Sequence, residues 1–187
     1  ESPFCAIQGF TITNGQFDSG GAICGVADID GPYWVASQST IRRNIISGNS
    51  GEWAGGIGRH IGLVEQNIIV GNSAEYCAAV LGGTEVRNNL IISNRVTGAS
   101  GLIVSGILRN NTIWGNIVGP GSYVVSPHGN TTMENCIVYG NGGGGVQVWD
   151  YTRPSNCCIE GWTGGGQMNI SVDPLLTDPF HGDFNLL

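Results

Sequence analysis

The sequence predicts an all-β chain wound as a parallel β-helix of six to seven coils, and three observations predict it. The first is a repeat. IRRNIISGN (41–49), VEQNIIVGN (64–72), VRNNLIISN (86–94), LRNNTIWGN (108–116) and MENCIVYGN (133–141) are versions of one line. Their closing residues, Asn49, Asn72, Asn94, Asn116 and Asn141, are separated by 23, 22, 22 and 25 residues. A weaker copy, IQGFTITNG (7–15), precedes them, and a degenerate one, PSNCCIEGW (154–162), follows. A fixed period in this range marks a solenoid. The second observation is a pair of aliphatic columns: Ile12, Ile46, Ile69, Ile91, Ile113, Val138 and Ile159 inside the motif, and Ile23, Ile57, Val80, Leu102 and Val124 eight residues after its close. Coils bury apolar residues only against their neighbours, so such columns must point inward. The third is composition, rich in Asn, Gly, Ser, Thr, Ile and Val, which suits short strands and tight turns better than helix. A leucine-rich repeat would need ordered leucines and helical returns, whereas these returns are glycine-rich.

Taken in order along one coil, motif position two gives the column Gln8, Arg42, Glu65, Arg87, Arg109, Glu134, a ladder of alternating charge on an outer face. Position four reads Asn44, Asn67, Asn89, Asn111, then Cys136. Asparagines stacked rung on rung can link their amides along the axis and tolerate left-handed turns. Three residues after the close comes Asp18, Glu52, Glu75, followed by the aromatic pair Trp53 and Tyr76. Between Ile23 and Ile41 the chain carries about eleven residues more than a regular coil, so 25–38 is expected to protrude as a loop. It holds Asp28, Asp30, Tyr33 and Trp34, with Arg59 and His60 expected beside it on the next coil.

Bulk properties exclude several classes. Glycine is 32 of 187 residues without a triplet period, which excludes collagen. A net charge of −7 with seven arginines and no lysine argues against nucleic acid or an anionic membrane as partner. No apolar run is long enough for a membrane-spanning helix, and no leader opens the chain. Six cysteines without a C-x-x-C pair suit an oxidising compartment better than zinc. Cys136 and Cys157 occupy one motif position in successive copies, which puts their α-carbons roughly 5 Å apart, within disulfide range. A staple and two stacked thiols are both compatible with that, and Cys158 should face the other way. Asn110, Asn130 and Asn169 head N-x-S/T sequons.

The form I-x-N-N-I-I-x-x-N, the GFTITNG opening coil and DPLLTDPFHGDFNL (173–186) resemble secreted right-handed parallel β-helix proteins of the pectin-lyase-like superfamily. The resemblance implies a right-handed coil, a secreted or cell-surface location, and one domain over 1–187. It also implies an N-terminal cap and a region beyond GDF, both of which this chain is expected to lack. Most relatives of that kind are surface proteins, and a minority cleave polysaccharides.

The expected function is a non-catalytic extracellular module with a structural, adhesive or glycan-binding role, without a required cofactor. Its partners would be a glycan or other copies of itself stacked head to tail, since uncapped strand edges recruit strands. The alternative is a polysaccharide lyase or glycoside hydrolase. Asp28, Asp30, Tyr33, Trp34, Trp53, Arg59, His60 and Tyr76 are the candidate binding residues. Asp18, Glu52 and Glu75, roughly 5 Å apart on successive rungs, are read as exposed turns, a Ca²⁺ site or catalytic acids.

Overall fold

Each motif copy makes two short strands because two positions in it take a left-handed backbone that turns the chain. Position three, occupied by Arg43, Gln66, Asn88, Asn110, Asn135 and Asn156, has φ between 52° and 55°. Position eight, mostly glycine, does the same: Gly48, Gly71, Gly115, Gly140 and Gly161. Position four does not, which corrects the turn role considered for its asparagines. The computed structural model describes residues 5–25, 38–149 and 151–187, with side chains left aside at 127–130. In it, one representative coil runs through strands Thr40–Arg42, Ile45–Ser47, Ser50–Gly51 and Ile57–His60.

Like strands pair in parallel with the next coil, giving an 11-stranded, a 7-stranded and a 3-stranded sheet. Together they form a β-solenoid of about five turns, against the six to seven coils counted from the motif. Helix among the described residues is limited to the 3-10 turn Pro179–His181. The motif's first and last copies supply Thr11–Thr13 and Cys158–Ile159, the two edges of the 7-stranded sheet.

Three columns fill the interior. Ile41, Val64, Val86 and Leu108 lie in register with one another, as do Ile46, Ile69, Ile91, Ile113, Val138 and Ile159, and all are fully buried. The third column departs from the eight-residue rule. Val80 pairs with Ile57 and with Ile103, and Ile103 with Val125, so the column slips by one residue after Val80. The Thr97–Gly101 turn holds the extra residue. Leu102 and Val124, the residues the rule picked, are nonetheless buried beside it.

Polar ladders run between these columns. Asn44, Asn67, Asn89 and Asn111 form one, and Asn49, Asn72, Asn94, Asn116 and Asn141 a second that the repeat spacing displayed but did not explain. In both, each Oδ1 after the first accepts the backbone N–H and the Nδ2–H of the asparagine one coil earlier, at 2.9–3.2 Å, while Asn44 and Asn49 accept the N–H of Phe10 and Gly15. Each Nδ2 also donates to a backbone carbonyl of the coil before, as Asn72 does to Ile46 at 2.9 Å. Buried amides are tolerated only when satisfied, and these are.

The ends of the ladders differ. Asn141 closes on Gln147, whose Oε1 takes the Nδ2 proton at 3.0 Å, while Gln147 Nε2 donates to Glu160 at 3.2 Å. In the first ladder Cys136 and Cys157 replace asparagine, and Asn169 then resumes it by accepting from the Cys157 N–H at 3.0 Å. Gln167 and Ile170 pair with Ser155 and Cys158, so 166–172 is a short further turn that the motif search missed. Beyond it, Leu176–Asp178 and Asp183–Leu186 form an antiparallel hairpin. Phe180 and Phe184 of this tail meet Trp114 edge-on at 5.0 and 5.9 Å.

Candidate functional site

The turn after the 3-stranded sheet brings the most chemistry to the surface. It stacks through its backbone: Trp53 N–H donates to Asp18 O at 2.7 Å, Tyr76 N–H to Glu52 O at 3.0 Å, and Gly98 N–H to Glu75 O at 2.9 Å. Room for it comes from Gly51, where a Cβ would lie 2.2 Å from Ala54 O. Alternation then sends Ala54 and Cys77, bridged to each other, into the core. Burial pushes the Cys77 thiol up to about 12, so it is not a nucleophile. Trp53 and Tyr76 are turned outward and stack face to face, with ring centroids 4.5 Å apart and planes 15° apart. Trp53 remains 42% exposed.

Asp18, Glu52 and Glu75 line the same turn on three successive coils, all exposed. Among the described residues no group of three His, Cys, Asp or Glu side chains is arranged to hold a metal.

Arg59 and His60 do not form a surface basic pair. Arg59 is half-buried, with φ 51° at an irregularity in the pairing with the next coil. That twist turns His60 inward to 1% exposure. His60 Nε2 lies 2.7 Å from Ser39 O, which identifies it as the protonated nitrogen, and Nδ1 is buried without a hydrogen-bond partner among the described residues. Desolvation lowers the His60 pKa, against a smaller opposing effect of the Ser39 carbonyl. Asp28, Asp30, Tyr33 and Trp34 lie outside the described residues. An open depression of about 390 Å³ beside His60 is lined by Gln38, Ile61, Gly62, Leu63, Thr84 and Glu85.

The charge ladder on the outer face forms largely as expected, with one addition. Arg87 meets Glu65 at 2.9 Å, and Arg109 meets Glu134 at 3.4 Å and the unanticipated Glu85 at 2.9 Å. Arg42 donates to Gln8 rather than to Glu65. With acids this close, Arg87 and Arg109 do not make an open anion site.

All six cysteines are free, so of the two arrangements open at Cys136 and Cys157 the structure shows two stacked thiols and not a staple. Each thiol donates instead to the carbonyl two residues before it, Glu134 at 3.3 Å and Ser155 at 3.2 Å. Cys158 is also buried, its thiol donating to Val172 O at 3.2 Å. Asn110 is exposed in its left-handed turn, whereas Asn169 commits its amide to Pro154 O at 2.8 Å. The Asn130 side chain lies outside those described.

One cluster escaped sequence reasoning. Tyr123 lies 5.9 Å from Trp149, and Trp149 5.5 Å from Tyr151, which is 81% exposed. Extending the slipped column from Val125 to its register partner Val148 would have placed Trp149 one residue further on. Compared with known proteins, the chain matches no family, no curated protein and no solved structure.

Proposed function

We propose that the protein is an extracellular glycan-binding β-solenoid whose contact surface is the turn bearing Trp53 and Tyr76. The observation that carries this reading is the face-to-face Trp53–Tyr76 stack on successive rungs, with Trp53 exposed and Tyr76 half-buried. Stacked aromatic rings at a surface turn offer flat apolar faces that a ligand can cover. They suit the apolar faces of sugar rings, while the flanking Asp18, Glu52 and Glu75 carboxylates suit sugar hydroxyls. The motif's likeness to secreted pectin-lyase-like β-helices and the Asn110 sequon support a secreted or surface setting.

The polysaccharide-cleaving alternative draws less support, because His60 faces Ser39 instead of joining Arg59 at the surface. Head-to-tail stacking is also less favoured, since Gln147 and Glu160 terminate the second ladder from within the chain. The test is calorimetric titration with a panel of oligosaccharides against the native protein, Trp53→Ala and Tyr76→Ala. Either substitution should weaken binding about tenfold, from loss of roughly one aromatic contact, with thermal unfolding unchanged. Unaltered binding in both variants would remove the reading.

A further inference from the structure

We infer that Cys136 and Cys157 form a two-coordinate site for a soft monovalent cation, Cu(I) or Ag(I), held in line between their sulfurs. The site is independent of the glycan surface. The asparagine row that starts at Asn44 is interrupted at two consecutive rungs, both times by cysteine, before Asn169 resumes it. Ile137 pairs with Cys158, which sets Cys136 beside Cys157 on the neighbouring rung, and both side chains are buried. They point the same way, since each thiol donates to the carbonyl two residues before it, Glu134 for Cys136 and Ser155 for Cys157. Side chains set alike on adjacent rungs have their sulfurs about one rung apart, roughly 4.8 Å.

That spacing suits one kind of bridge and not another. A disulfide needs its sulfurs about 2.05 Å apart, so the two rungs would have to be drawn together. A metal–thiolate bond is about 2.3 Å long, so a straight sulfur–metal–sulfur unit spans about 4.6 Å and leaves the backbone in place. Entry is through the last turn. Residues 166–172 are joined to the coil before them by isolated bridges at Gln167 and Ile170 and are largely exposed, so local opening there uncovers Cys157 without unfolding the stack.

The donor set selects the ion. Thiolate sulfur favours soft cations such as Cu(I) over Ca²⁺ or Mg²⁺. Zinc asks for four ligands, and among the described residues no third His, Cys, Asp or Glu is arranged to join the pair. Cys158 faces the other side of its strand, where its thiol donates to Val172 O. Binding exchanges two S–H bonds for two metal–sulfur bonds: both thiols lose a proton to solvent, and the unit keeps one net negative charge. Donors already point at that charge, since Asn111 Nδ2–H reaches Cys136 Sγ at 3.9 Å and Cys136 N–H reaches Cys157 Sγ at 3.4 Å. The hydrogen bond from the Cys136 thiol also holds the Cys157 pKa below the ordinary thiol value, so Cys157 supplies the first thiolate.

The experiment uses the reduced protein under anaerobic conditions, in a Cys5→Ser, Cys24→Ser background that removes the more accessible thiols. Ag(I), and Cu(I) delivered from a competing chelator, should each bind at one ion per chain, release two protons and raise the unfolding midpoint. X-ray absorption should show two sulfur neighbours and no nitrogen or oxygen. Cys136→Ser and Cys157→Ser should each abolish binding, while Cys158→Ser leaves it unchanged. Should either serine variant unfold, the Cys136→Asn, Cys157→Asn double variant, which keeps a row of acceptors, decides by remaining folded without binding the ion. An ion retained in that variant overturns the site, as does the lack of a bound ion in the parent background. Three or more sulfur neighbours, binding lost in Cys158→Ser, or Zn²⁺ held as tightly as Cu(I) would overturn the two-coordinate assignment.

Discussion

Asn72 gives both its backbone N–H and its side-chain Nδ2–H to the single Oδ1 of Asn94, at 2.9 and 3.0 Å, with both side chains fully buried. Asn94→Ala would strand two buried donors at once, and each unsatisfied buried group costs about 1–3 kcal/mol. The variant should lose roughly 3 kcal/mol or more in urea unfolding. A loss below about 1 kcal/mol would mean that water replaces the amide.

At Cys136 the other ladder, which starts at Asn44, runs on a weaker acceptor, since Asn111 Nδ2 reaches Sγ only at 3.9 Å. The double substitution Cys136→Asn, Cys157→Asn should restore an unbroken row from Asn44 to Asn169. Its unfolding midpoint should rise, by about 1 kcal/mol in stability. A fall would show that the two thiols matter for packing volume rather than as stand-in acceptors.

His60 makes the fold sensitive to acid. Burial lowers its pKa below the ordinary 6.5, so the folded protein favours the neutral ring. The unfolded chain then binds more protons than the folded one as pH falls. Its contribution is complete above about 6.5 and is lost as pH drops from there through the folded value. His60→Gln should flatten the fall in melting temperature between neutral pH and about pH 5 relative to the native protein. Parallel profiles would place the acid sensitivity elsewhere.

Trp114 anchors the C-terminal hairpin through Phe180 and Phe184. Trp114→Ala should free that tail while leaving the columns of Ile46 and Ile113 intact. Limited proteolysis should then cut within 174–187 several-fold faster, with little change in the main unfolding transition. Equal cutting rates would show that the Leu176–Leu186 pairing holds the tail by itself.

The repeat determined the inward columns, the stacked asparagines at position four and the outward charges, because any residue recurring once per coil must occupy an equivalent place in a stack. Ile46, Ile69 and Ile91 could be assigned on that ground alone. The adjacent Trp53 and Tyr76 followed for the same reason, being one period apart. What the period cannot carry is anything set by a departure from it. One added residue before Leu102 moved the third column to Ile103, and a left-handed Arg59 turned His60 from the surface into the core beside Ser39. Gln147 closes a ladder from six residues beyond Asn141, and Trp149 meets Tyr123 only because their strands pair through Val125 and Val148. These depend on backbone register and on which way a strand twists at an irregularity, and long-range pairing settles those only once the coils are stacked.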